Sequence, residues 1–242
     1  KHAQKHFLFE SRIILTGTCV KSSTEIQTIA DTWHEKHDEG EVYTTVGIHP
    51  HDAKTFEGDD TIDVLKKIIQ KSKRVKAIGE CGLDFNRNFS PRDQQITAFR
   101  AQIRLACELK MPIFVHERDA HEDLVKILQE FEGSLPDVVV HCFTGKLEEA
   151  KKYIDMGFHV GFTGTLCKFQ RGQPLREIIP KLPLNRLMLE TDAPWMSFVK
   201  GRRTSEPADV VLIAKKIASV LGCEPSHVAR VTTATARRFF RI

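Results

Sequence analysis

The chain has 242 residues, 41% of them hydrophobic and 28% charged, which is long enough for a sizeable core and ordinary for a soluble globular protein. Its 36 basic and 32 acidic residues leave a formal charge of +4. That permits a phosphate-bearing ligand but lacks the clustered basic stripe of a domain that binds nucleic acid by bulk charge. No run approaches about 18 consecutive apolar residues, so no membrane-spanning helix is expected, and the opening KHAQKHFLFESR has no long apolar core of a secretory signal.

The six cysteines (Cys19, Cys81, Cys107, Cys142, Cys167, Cys223) form no C-x-x-C pair. They read as reduced thiols of a cytoplasmic protein rather than as a disulfide framework or a zinc knuckle. The chain does not begin with Met and opens in a helical pattern, so a preceding segment is expected.

In chain order, short β-branched runs alternate with longer amphipathic stretches. RIILTGT leads into SSTEIQTIADTWHEKH, where Ser22 and Glu25 have capping-box spacing. VYTTVGI precedes TIDVLKKIIQKS, and VKAIG, read as ending at Glu80, precedes a long helix that opens with Pro91. PIFVH precedes DAHEDLVKILQEF, with Asp119 and Glu122 as a second capping pair, and VVVHCF precedes KLEEAKKYIDMG. HVGFTG precedes PLREIIPKL, RLMLET precedes PADVVLIAKKIASVLG, and a helix over Ser226–Phe240 closes the chain. Seven β-then-α units without a linker predict parallel strands with crossover helices in a single domain over residues 1–242. The expected fold is a TIM-like (β/α)8 barrel whose first strand lies upstream of Lys1. A doubly wound sheet would want a glycine-rich fingerprint after its first strand, and TGTCVKS is not one.

Chemistry-bearing residues recur where these strands end: His49, His51 and Asp52 in VGIHPHD, Glu80 and Asp84 in AIGECGLD, His116 in PIFVHERD, His141 in VVVHCFTG, Glu190 and Asp192 in LMLETDAPW. In a parallel barrel the C-terminal strand ends share one face, where active sites lie. Imidazoles and carboxylates without thiolates make a site for Mg2+, Mn2+ or Zn2+ with open positions for water. Alternation turns Cys81 and Cys142 away, and His159 begins a strand, at the opposite end.

Together TVGIHPHD, AIGECGLDFNRNFS, MPIFVHERDAHE, HCFTG and ETDAPW, in that order, resemble the landmark stretches of the TatD family of metal-dependent nucleases, from about Ile13 to the C-terminus. The resemblance implies a TIM-like barrel and hydrolysis of phosphodiester bonds by metal-activated water. For its TatD branch it implies 3′→5′ exonuclease action on single-stranded DNA or RNA with Mg2+. It also implies Glu80, His116, His141 and Asp192 as metal ligands, with Glu80 and Asp192 catalytic and Asp192 orienting or deprotonating the water. His49 matches the family's G-[VI]-H-P histidine, near the metal and the substrate phosphate. Arg87, Arg118 and the VKGRR loop are candidates to track the nucleic-acid backbone, and Phe85 or Trp195 to stack a terminal base. Many family members begin with an H-x-H strand that this chain lacks, and H-E-R stands where the family often has H-C-R.

A monomer acting on single-stranded DNA or RNA, with no membrane association, is the expectation. A metal-dependent amidohydrolase or an aminoacyl-tRNA deacylase could use the same scaffold, but no strand ends in a lysine placed to bridge metals. A non-catalytic nucleic-acid-binding protein would have no need of the intact Glu80, His116, His141 and Asp192.

Overall fold

The computed structural model describes residues 12–37 and 40–242; the expected helical opening, with His2 and His6, and any preceding strand lie outside them. The chain divides into two compact units, Lys1–Pro136 and Asp137–Ile242. No helix among the described residues is long and apolar enough to cross a membrane.

The first unit alternates β1 (Arg12–Leu15), α1 (Val20–Lys36), β2 (Glu41–Val46), α2 (Asp59–Lys71), β3 (Val75–Asp84), α3 (Arg92–Leu109), β4 (Ile113–Arg118) and α4 (His121–Gln129). Its strands pair in parallel and in chain order, as the alternation predicts. Strands of a parallel sheet are covered on both faces, so they carry near-continuous apolar runs. Val46, Ala77, Ile78, Leu83, Ile113 and Val115 are buried in this way, with Leu65, Phe99, Ile103 and Leu124 supplied by the helices.

Three local readings change. Helix α1 is capped by Cys19, and Ser22 sits one turn inside it, where its Oγ accepts the amides of Thr18 (2.9 Å) and Cys19 (3.0 Å). Asp119 does not cap α4. The Ala120 amide is taken by Glu117 Oε1 at 2.8 Å, while Asp119 lies at φ 52° and accepts from Asn86 Nδ2 at 2.6 Å. Strand β3 does not stop at Glu80 but runs to Asp84, because Cys81, Gly82, Leu83 and Asp84 find ladder partners in Val115, His116, Glu117 and Arg118.

In the second unit, β5 (Val138–Val140), α5 (Leu147–Asp155), β6 (His159–Phe162), α6 (Gln173–Ile178), β7 (Leu187–Leu189), α7 (Val210–Leu221) and α8 (Pro225–Phe240) follow one another. Strand β6 pairs in parallel with β5 and with β7. Val138, Val140, Tyr153, Val160, Phe162, Leu187, Ile213, Ile217 and Phe239 are buried there.

Gly82 fixes how closely β3 can approach β4. Its φ of +141° is a conformation that L side chains rarely adopt, and a Cβ there would run into the His116 backbone. Gly82→Ala is therefore expected to destabilise the protein by at least about 2 kcal/mol, read as a lowered urea midpoint. A midpoint equal to wild type would show that the strands have room to separate.

Candidate metal centre

In a parallel ladder, paired residues share a face and alternate residues of one strand return to it. Glu80, Gly82 and Asp84 alternate along β3, and Gly82 pairs with His116. The His116 ring thus lies between two carboxylates, with Nδ1 2.9 Å from Glu80 Oε1 and Nε2 3.4 Å from Asp84 Oδ2. His49, in the turn after β2, brings its Nε2 to 3.1 Å from the same Glu80 oxygen and 3.2 Å from His116 Nδ1. Donor atoms of His49, Glu80 and His116 lie within 4.8 Å of one another, close enough to serve one ion.

The two imidazoles are not equivalent. His49 Nδ1 accepts the His51 amide at 3.0 Å, and burial, against the opposing pull of Glu80, pushes the ring's pKa below its usual value. A neutral ring that accepts at Nδ1 carries its proton on Nε2, so His49 presents an N–H donor toward Glu80. His116 Nδ1 is already within hydrogen-bonding distance of Glu80 and of His49. A proton placed on Nε2, the nitrogen that faces Asp84 at 3.4 Å, would turn the Nδ1 lone pair toward a cation held by Glu80, and a carboxylate behind the ring is the usual support of a metal-bound imidazole. The donor set of this unit therefore fits a divalent cation through Glu80 and His116, with His49 as a neighbouring hydrogen-bond donor.

Asp84 is 1% exposed and highly connected. Its Oδ1 accepts the amides of Asn86 (3.1 Å) and Arg87 (2.8 Å), and its Oδ2 faces His51 Nε2 at 2.7 Å. Two glutamines seven residues apart on the buried face of α3 hold the backbone beneath these groups. Gln95 exchanges hydrogen bonds with the Asp84 amide (2.8 Å) and carbonyl (3.2 Å). Gln102 does the same for Ile48, next to His49, at 2.7 and 3.0 Å. No sequence motif singles out either glutamine. A polar residue repeated on the apolar face of a helix is the available signal, because a buried amide requires partners.

In the second unit the chain beyond β5 carries His141, buried, with Nδ1 3.5 Å from Glu190 Oε2. Glu190 follows β7, and its Oε1 accepts the Cys142 amide at 2.5 Å. Gly161 leaves room for that carboxylate, since a Cβ there would sit 2.5 Å from it. Asp192 lies at φ 56°, and its carbonyl accepts the Trp195 amide at 2.8 Å. Neither neighbouring thiol is a nucleophile: burial pushes Cys81 well above its usual range and Cys142 up to about 12.

The surrounding candidates separate. Trp195 is 70% exposed, whereas Phe85 is buried under the Arg92 guanidinium at 4.4 Å and has no free face for a base. Phe89, 55% exposed and edge-on to His51 at 4.7 Å, is the accessible aromatic of that loop. Arg87 is exposed, with its guanidinium over Phe89 at 5.8 Å. Arg118 is half-buried at the end of β4. Arg202 is taken up by ion pairs with Glu206 and Asp209.

Burial alone would raise the Asp84 pKa, but hydrogen bonds from His116, the Arg87 amide and His51 outweigh it and hold the carboxyl well below the usual range. Since the unfolded value is about 3.9, the stability this group contributes is complete above that pH and is lost as pH falls through the lower folded value. Asp84→Asn is expected to cost about 2–3 kcal/mol at pH 7 in chelator and to lie closer to wild type at pH 3, both by urea unfolding. A gap equally large at the two pH values contradicts the assignment.

Residues 10–241 match the model of the TatD related DNase family. The 3′-5′ ssDNA/RNA exonuclease TatD of Erwinia billingiae is 41% identical over 235 residues, covering 95% of this chain and 87% of its own length. A hydrolase TatD family protein from Entamoeba histolytica superposes with a TM-score of 0.83 at 25% identity, covering 95% of this chain and 84% of that one. A TatD homologue from Escherichia coli K12 does so with a TM-score of 0.84 at 24% identity, covering 96% and 87%. The fold class is the TIM-like α/β barrel that the alternation predicts. This chain belongs to the TatD-related DNase family.

Proposed function

We propose that the chain is a metal-dependent nuclease, a 3′→5′ exonuclease that hydrolyses phosphodiester bonds of single-stranded DNA or RNA. The observation that carries this reading is the His116 ring held between Glu80 and Asp84 in a chain of this family. A family match that spans residues 10–241 supports reading the whole as one hydrolase domain.

Glu80 and His116 are the proposed ligands of the first unit, and His141 and Asp192 the proposed ligands contributed by the second. When bound, a divalent ion (Mg2+ by the family, with Mn2+ or Zn2+ compatible with the N and O donors) would polarise a phosphoryl oxygen and make a water nucleophilic near neutral pH. The residues supply the rest. His49 points its Nε2–H at the acceptor cluster, where a non-bridging phosphate oxygen can take that hydrogen bond. Glu190 stands beside the His141 ring as Asp84 stands beside that of His116, a carboxylate placed to orient each imidazole. Asp192 is the proposed acceptor of the water proton, a role that suits a carboxylate left ionised. Arg87, Arg118 and Trp195 are proposed contacts for the substrate backbone and terminal base.

The test is digestion of 5′-labelled single-stranded DNA with Mg2+ or with EDTA. A ladder that shortens from the 3′ end is expected, abolished by EDTA and slowed at least about a hundredfold in Glu80→Gln, since loss of even an outer-sphere partner costs 10–100-fold. Intact DNA under Mg2+ and Mn2+ alike, with hydrolysis of ester or amide substrates instead, overturns the reading.

A further inference from the structure

We propose that Phe169, in the loop after β6, is a base-stacking residue that grips the single-stranded substrate; this rests on the nuclease reading above. Phe169 is 89% exposed, more than any other large apolar side chain among the described residues. A lone exposed phenylalanine is unremarkable on a loose loop. This loop is tightly built. The Arg176 guanidinium donates to the carbonyls of Leu166 (2.8 Å), Lys168 (2.8 Å) and Phe169 (2.7 Å), so one side chain ties down the backbone on which the ring stands. The Gly172 amide closes back on the Lys168 carbonyl at 3.1 Å. Gly172 itself is required by the tightness, because a Cβ would sit 2.5 Å from the Thr165 and Leu166 carbonyls and 2.6 Å from the guanidinium. An arginine spent on three carbonyls to hold an apolar ring in water presents a pre-organised contact, for which little ordering entropy remains to be lost on binding.

Location and charge point to the same ligand. Strand β6 lies between β5 and β7 and runs parallel to both, so its following loop leaves from the edge that also carries His141 and Asp192. The ring is flanked in sequence by Lys168 and Arg171, with Gln170 between, in the stretch KFQR. A single aromatic face bordered by cations is how single strands are held: the ring stacks on a base and the cations follow the phosphates. A protein interface would instead want a broad apolar patch with depleted charge. Within a duplex every base but the terminal pair is covered on both faces, so the contact also favours single strands over duplex.

The experiment compares wild type, Phe169→Ala and Phe169→Trp in Mg2+ on 5′-labelled single-stranded DNA, and on the same oligonucleotide with abasic 3′-terminal residues. The expected result is a KM raised about tenfold in Phe169→Ala with kcat unchanged, restored in Phe169→Trp, and no difference between the proteins on the abasic substrate. Fluorescence anisotropy with a labelled oligonucleotide and Ca2+ reads affinity without turnover. If wild type binds in Ca2+ but leaves the oligonucleotide intact in Mg2+ and Mn2+, the nuclease reading falls, while weaker binding by Phe169→Ala still upholds the stacking role. An unchanged KM and affinity in Phe169→Ala, or an equal loss on abasic DNA, overturns it. So does self-association of wild type that Phe169→Ala abolishes together with an unchanged affinity for the oligonucleotide.

Discussion

The close approach of β3 to β4 at Gly82 and His116 is the constraint on which the first unit's site depends. A side chain at position 82 would separate the strands. Without one, the His116 imidazole sits between Glu80 and Asp84. Two carboxylates on opposite ring nitrogens leave little freedom of orientation, and a metal ligand must be held in this way to be effective. The helix that follows β3 stabilises the arrangement from behind, since Gln95 and Gln102 hold the Asp84 and Ile48 backbones from one face of α3.

Protonation follows from hydrogen bonding in the same cluster. The His51 amide donates to His49 Nδ1, which assigns the His49 proton to the nitrogen facing Glu80. His116 faces a carboxylate from each ring nitrogen, Glu80 at Nδ1 and Asp84 at Nε2, and a cation beside Glu80 would favour the proton on the Asp84 side. Two histidines with the same nominal pKa are thereby suited to the different roles proposed for them, one as a donor to phosphate and one as a ligand. The carboxylate partner of His116 is itself buried and kept ionised by amides, because a buried charge persists only where its lone pairs are satisfied.

Much of this was legible in the sequence because it is local. Strand-helix alternation needs only the 2.0 and 3.6 residue periods, and Glu80, Asp84, His116, His141, Glu190 and Asp192 stand out because each closes or follows an apolar run; choosing Glu80, His116, His141 and Asp192 among them as ligands took the family resemblance. What escaped was long-range. Gln102 reaches Ile48 across 54 positions of chain and Gln95 reaches back 11, and neither pairing has a local signature. The sequence pattern ends β3 too early because glycine and aspartate are poor strand formers, and only the β4 ladder carries the strand through them. Phe85 and Phe89 are equivalent by composition; one is buried under Arg92 and the other is in water, a difference set by tertiary packing alone.

The central claim is that Glu80 and His116 bind a divalent ion while His49 donates a hydrogen bond beside it. Anomalous diffraction from crystals soaked in Mn2+ tests it most directly. The account predicts a manganese peak within coordination distance of a Glu80 oxygen and of His116 Nδ1, with His49 Nε2 hydrogen-bonded to a ligand of the ion but not bound to it. A map without manganese at these residues, or with His49 Nε2 coordinated and the His51 amide turned away from its Nδ1, would contradict the account.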